Sequence, residues 1–181
     1  MSHVCSWRHV RVFDNVFRPL VHRPHRIFGP FVQSQMTVMD VGCGAGWASI
    51  GLAKLVGERG RVLAVDLQRE MLDIVEKRSL RAGLSERIAT YQCKHDDLRL
   101  EEEFDFVNAF WMVHEVPDRR AFMNQIRSFL KSGGKFLVAE PVFHVSLRDF
   151  EEMVKAGLGV GLVEYVRPKI RFSRSVVFEL K

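Results

Sequence analysis

The chain has 181 residues, 47% hydrophobic and 27% charged, enough to fill the core of one domain and to exclude extended disorder or a fibrous fold. No apolar run approaches the ~20 residues of a membrane-spanning helix, the first residues lack a secretory stretch, and three scattered cysteines make no disulfide framework, so a reducing, cytoplasmic location is expected. The formal net charge is +5, with +4 in residues 1–35, +4 in residues 165–181 and −3 between them.

The first 35 residues stand apart from the rest. Val10, Val12, Phe13, Val16, Phe17 and Leu20 suggest one short helix, and Pro24 suits the first position of a second running towards Val32. From residue 36 short apolar runs alternate with amphipathic stretches, the pattern of a parallel α/β sheet. Met36–Val41 reads as a buried strand ending in the cluster Gly42-Cys43-Gly44-Ala45-Gly46, and a helix follows from Trp47 to Val56. Arg61–Asp66 is the second strand. Glu70–Ala82 is the second helix of this part, with Met71, Leu72, Val75 and Leu80 expected to face inward.

Ile88–Gln92 is a weaker third strand and Phe104–Phe110 a fourth. Asp118 is placed to cap a helix reaching Leu130. Gly133-Gly134 leads into a fifth strand, Lys135–Glu140, stopped by Pro141. Ser146 suits the cap of a last helix to about Lys155. Val160–Val166 and Ser175–Leu180 read as two strands joined by a basic loop. There is no internal repeat and no linker.

Asp40-Val41-Gly42-Cys43-Gly44-Ala45-Gly46 lies at a strand end and a helix start, where glycines allow a tight turn and close backbone approach to a ligand. Asp66 closes the next strand 20 residues after Gly46, which sets a carboxylate beside a ligand's ribose. These features alone suit a nicotinamide or an S-adenosylmethionine enzyme. A short-chain dehydrogenase needs Tyr and Lys four apart on one helix, and the only such pair, Tyr165 and Lys169, has Pro168 between them.

Residues 36–181 resemble the class I S-adenosylmethionine-dependent methyltransferases, especially their small-molecule type. The resemblance rests on Asp-Val-Gly-Cys-Gly-x-Gly at 40–46, on Val65-Asp66 and Met71-Leu72, and on Gly133-Gly134-Lys135. It implies a Rossmann-like, doubly wound seven-stranded sheet with an antiparallel last strand, here with N-terminal helices added as a lid over residues 1–35. It also implies S-adenosylmethionine as cofactor. Gly42, Gly44 and Gly46 would cradle its methionine part, Asp40 would order that loop, and Asp66 would hold the ribose. Leu67 and Met71 would pack on the adenine. Many relatives carry Gly-Asp after the third strand; the aligned pair here is Cys93-Lys94, which leaves Asp96 or the backbone to read the adenine.

The stretch after the fourth strand, Phe110-Trp111-Met112-Val113-His114-Glu115, would border the methyl-transfer site. Methyl transfer is an in-line displacement governed by alignment, and a base is needed only where the acceptor loses a proton. His114 suits that role. Trp111, Glu140 and His144 are further candidates on the ligand-facing edge, and Arg171 and Arg174 would hold an anionic group of a small-molecule acceptor. No Asn/Asp-Pro-Pro-aromatic run follows the fourth strand and no Pro-Cys pair occurs, against amino methylation of adenine or glutamine amides and against cytosine-C5 methylation. Cys5, Cys43 and Cys93 could converge on a thiophilic substrate; no metal-ligand spacing is present. The alternatives are an RNA methyltransferase, suggested by the basic ends, and a non-catalytic S-adenosylmethionine-binding partner subunit.

Overall fold

The computed structural model describes residues 21–95 and 97–181; the proposed first helix near residues 10–20 and Asp96 lie outside them. Within them the apolar runs form β1 (Thr37–Val41), β2 (Arg61–Asp66), β3 (Ile88–Gln92), β4 (Phe104–Phe110), β5 (Leu130–Pro141), β6 (Val163–Val166) and β7 (Ser173–Glu179). They make one seven-stranded sheet in the order β3-β2-β1-β4-β5-β7-β6. The first five strands pair parallel, and β7 runs antiparallel to both β5 and β6. β1, β2 and β4 read as nearly continuous apolar runs because both faces of a parallel sheet are covered.

The covering helices are α1 (Pro24–Phe28), α2 (Trp47–Val56), α3 (Arg69–Arg81), α4 (Arg119–Ser128) and α5 (Leu147–Gly159). Alternate residues of the strands divide two cores between them. One contains Phe28, Leu52, Val56, Leu72 and Val75 from α1–α3, with Val38, Phe106 and Leu137 from the sheet. The other contains Met123, Ile126, Phe150 and Met153 from α4 and α5, with Met39, Val107 and Phe136.

Several boundaries differ from the sequence reading. α1 stops at Phe28 rather than near Val32, because Pro30 has no amide hydrogen to donate to the Arg26 carbonyl and so breaks the helical ladder. α4 ends at Ser128 rather than Leu130: the Phe129 carbonyl accepts from the Phe104 amide at 2.7 Å, and Leu130 pairs with Phe104. Strand β5 therefore begins before the glycine pair. α5 continues past Lys155, since Gly157 lies where any Cβ would come within 2.8 Å of the Phe178 ring. That extension shortens the strand expected at 160–166. Leu80, expected to face inward, is 70% exposed, and Ser79 takes the buried place with its hydroxyl donating to the Glu76 carbonyl. Asp118 and Ser146 do cap α4 and α5, accepting from the Ala121 and Asp149 amides.

α1 docks on α2 through the absence of a side chain. A Cβ on Gly51 would sit 2.2 Å from Cβ of Pro24, far inside van der Waals contact. Gly51→Ala is expected to cost about 1–3 kcal/mol in urea unfolding, as overpacking in a closed core does, and an unchanged midpoint would contradict this docking.

Candidate functional site

The carboxyl ends of the parallel strands open onto one cavity of about 340 Å³, the place where open α/β sheets bind ligands. Its first wall is the β1–α2 turn. Gly42, Gly44 and Gly46 have φ of 65°, 51° and 81°, the left-handed region that glycine enters without strain. Their surroundings differ. A Cβ at Gly44 would meet nothing within 4 Å, whereas one at Gly42 would strike the Met112 side chain at 2.7 Å and one at Gly46 the Val75 side chain at 2.9 Å. Gly42 and Gly44 line the cavity, while Gly46 sets the turn into α2 against α3.

Two carboxylates hold this wall. Asp40 is 1% exposed and accepts from Ser49 Oγ at 2.5 Å and Asn108 Nδ2 at 2.7 Å, tying β1 to α2 and to β4. Asp66 accepts from the Gly44 amide at 2.9 Å and the Gln68 amide at 3.0 Å, so the β2 carboxylate fixes the glycine loop directly. Burial raises its pKa above the ordinary carboxylate value, against those amide hydrogen bonds, which lower it. Leu67 and Met71 border the cavity beside it.

The opposite wall is aromatic and includes Phe110, Trp111, Phe122 and Phe143. Trp111 has φ 62°, a strained conformation for a bulky residue that the surroundings must enforce. They do so through Trp111 Nε1, which donates to Ser173 Oγ at 2.8 Å, through its amide, which donates to the Ala139 carbonyl at 2.7 Å, and through Phe143, whose ring lies edge-on at 5.5 Å.

His114 faces the same cavity. Its Nδ1 is 2.5 Å from Glu140 Oε2, and the other oxygen of Glu140 accepts from the Val113 amide at 2.9 Å. Burial of the ring opposes its charged form, but the hydrogen bond to Glu140 and the charges of Glu140 and Glu115 outweigh that and raise the pKa above 6.5. With Glu140 ionised, Nδ1 carries the proton and Nε2 is the free base position; the nearest carboxylate to Nε2, Glu115, is 4.0 Å away.

The sequence-derived set is thus brought together in part. Asp40, Gly42, Gly44, Asp66, Leu67, Met71, Trp111, His114 and His144 all line the cavity. Glu140 does not: it is 0% exposed and stands behind His114. Arg174 does not either, because its guanidinium donates to the carbonyls of Val142 and Val145. Arg171 opens elsewhere, onto a second groove. Asp97 lines the cavity while paired with Arg99 at 2.6 Å.

The sequence reading missed Phe143, Phe122 and Gln125 as lining residues; Phe143, two residues past the end of β5, was within reach of the strand-end rule. It also missed His22. This ring lies against Trp47, Phe110 and Trp111 at 5.9, 5.2 and 5.2 Å, a long-range meeting with no local sequence signal.

Cys43 and Cys93 both line the cavity. Burial, reinforced by Asp40 and Asp66, raises the Cys43 thiol well above its ordinary value, and burial with Asp66 pushes Cys93 up to about 11. A thiophilic site needs thiolates, and among the described residues no metal-binding group occurs. Alkylation of Cys93 by iodoacetamide at mildly alkaline pH is expected about a hundredfold slower than that of a free thiol with pKa ~8.5. Site-resolved mass spectrometry reads this, and labelling of Cys93 at the free-thiol rate would contradict it.

The cavity fits S-adenosylmethionine. Gly44 leaves open space at its Cα, the Asp66 carboxylate stands at the strand end with apolar Leu67 and Met71 beside it, and the α2 amino terminus faces in.

A family model described as a methyltransferase domain matches residues 32–163. A demethylmenaquinone methyltransferase from Oceanobacillus iheyensis is 29% identical over 109 residues, 60% of this chain and 46% of that protein. A ubiquinone biosynthesis O-methyltransferase from Xanthomonas euvesicatoria is 34% identical over 105 residues, 56% of this chain and 41% of that protein. The chain spans about half or less of the length of these curated relatives. The crystal structure of a SAM-dependent methyltransferase from Aquifex aeolicus superposes with a TM-score of 0.87 over 98% of this chain and 100% of that one, at 20% identity, a likeness of fold. With a family match across most of the chain and a glycine loop, strand-end carboxylate and sheet order that agree with it, the chain belongs to the class I S-adenosylmethionine-dependent methyltransferases.

Proposed function

We propose that the chain methylates a small molecule that enters the aromatic side of the cavity and reacts as an anion at an ionised oxygen. The observation that carries this reading is the sharing of one apolar cavity by the glycine loop, Asp66 and His114. When bound, S-adenosylmethionine supplies a methyl group already activated on a sulfonium. Backbone groups of Gly42 and Gly44 would receive its methionine end, Asp66 its ribose hydroxyls, and Leu67 and Met71 its adenine. Gly46 shapes the turn rather than touching the ligand, and Asp40 holds the loop to the sheet through Ser49 and Asn108.

On the acceptor side, Trp111 and Phe143 offer flat faces that suit a ring. His114 Nε2 would take the acceptor's hydroxyl proton, leaving the oxygen as nucleophile, while Glu140 fixes the tautomer from behind and stabilises the imidazolium that forms. The curated relatives named above include enzymes of quinone biosynthesis, whose names agree with a ring-bearing acceptor. Arg174, bound to the Val142 and Val145 carbonyls, positions the loop that carries Phe143. Residues 1–35 would form the lid. Phe28 and Val32 belong to the core, so the truncation that tests the lid keeps residue 21 onward.

The test is transfer of labelled methyl from S-adenosylmethionine to metabolite and RNA fractions of a cell extract, with the full chain and with residues 1–20 removed. The expected label appears in low-molecular-mass organic material and falls on truncation. Label confined to RNA, or none with cofactor binding intact, would overturn the small-molecule reading. Undiminished transfer after truncation would overturn the lid.

A further inference from the structure

The basic connection between β6 and β7 divides its cations between two uses. Arg167 is consumed internally, its guanidinium bridging Glu151 and Glu164, and Arg174 is spent on backbone carbonyls. Lys169 and Arg171 instead open onto a second groove, of about 360 Å³, where Arg23 and Arg26 of the α1 region face them. No acidic residue among the described residues lines this groove. Nor does any of the four cations make an ion pair among the described residues; Arg171 lies 5.0 Å over the Phe172 ring, and its backbone carbonyl accepts from the buried His22 Nε2 at 2.8 Å.

Four like charges around one concavity repel one another and focus a positive potential into it. Other surface cations, such as Lys54, Arg81 and Arg120, also make no ion pair among the described residues; what sets these four apart is that they line one groove. A single carboxylate would leave most of that charge unanswered, whereas phosphate groups, with several oxygens and more than one charge, match arginine's planar donors. Ile27 and Phe31 give the groove an apolar side, which suits a ligand carrying more than phosphate alone. The groove is separate from the methyl-transfer cavity. His22 forms the partition, with its ring against Trp47, Phe110 and Trp111 of the cavity wall.

We propose that this groove binds a phosphate-bearing ligand through Arg23, Arg26, Lys169 and Arg171, on the far side of His22 from the methyl-transfer cavity. The site does not depend on the acceptor's identity. Its phosphate comes from a small phosphorylated metabolite or from an RNA backbone.

Calorimetric titration of the full chain with inorganic pyrophosphate, and separately with a short single-stranded RNA, distinguishes the two sources. At low ionic strength pyrophosphate is expected to bind, with affinity falling as salt rises. The double substitution Arg26→Glu with Lys169→Glu is expected to weaken binding at least about tenfold, as loss of ~1.4 kcal/mol would. Arg26→Gln with Lys169→Gln should fall between, and all three proteins should melt alike. RNA that displaces pyrophosphate with a steeper salt dependence supports the site and assigns it to a polynucleotide backbone. Pyrophosphate binding that RNA does not contest supports the site and assigns it to a small ligand. Absence of binding by both probes, or equal affinity in the charge-reversed protein, overturns the proposal. Because no readout involves methyl transfer, its failure is distinct from failure of the catalytic reading.

Discussion

Asp66→Ala is expected to lower the affinity for S-adenosylmethionine at least about a hundredfold, since two hydrogen bonds to a charged group are each worth roughly 1.5–3 kcal/mol. The substitution acts twice. It removes the acceptors proposed for the ribose, and it releases the Gly44 and Gln68 amides that Asp66 holds at 2.9 and 3.0 Å, so the glycine loop loses its anchor to β2. Asp66→Asn is the informative companion. It keeps the shape but turns one acceptor into a donor facing an amide N–H, so it should also lose most of the affinity. Calorimetry reads both, with urea unfolding as the check on the fold. Because burial raises the Asp66 carboxyl above the ordinary range, cofactor binding should weaken on acidification sooner than an exposed carboxylate would allow. Retained affinity in Asp66→Ala would remove the residue from the cofactor site.

The second large effect concerns the base. His114→Gln should reduce kcat by about 10²–10³, within the range general-base catalysis supplies, with little change in cofactor affinity. The pH profile gives the sharper evidence. The neutral ring is the active form, and the Glu140 hydrogen bond and charge raise its pKa above 6.5 despite burial, so activity should rise through a limb above pH 6.5. In Glu140→Gln the burial remains while the charge is gone. The imidazolium then loses its main support, and the limb should move to lower pH as kcat falls. A limb that stays in place, or vanishes in neither variant, would leave His114 a structural residue. Melting of Glu140→Gln is needed beside the kinetics, because that carboxylate is fully buried and also accepts the Val113 amide.

Much of this protein is legible in its sequence, for a local reason. The strands of a parallel sheet are continuous apolar runs, and the turn after β1 demands glycine at particular backbone angles, so Thr37–Val41, Arg61–Asp66 and the 42–46 turn declare themselves within short windows. Asp66 is similarly exposed to view by its spacing from the turn. Boundaries were less secure wherever a distant partner sets them. The start of β5 depends on Phe104 pairing with Leu130, and the length of α5 on Gly157 meeting Phe178.

The sequence by itself determined the fold class, the glycine loop, the carboxylate opposite it and the presence of a histidine after β4, because each is written in neighbouring residues. Only the tertiary structure decided what the remaining candidates do. It set Glu140 behind His114 rather than in the cavity, spent Arg174 on two carbonyls, and turned Arg171 towards Arg23 and Arg26. These outcomes depend on side chains brought together from residues far apart in the chain, and no local periodicity encodes which cation finds a carboxylate and which is left facing open space.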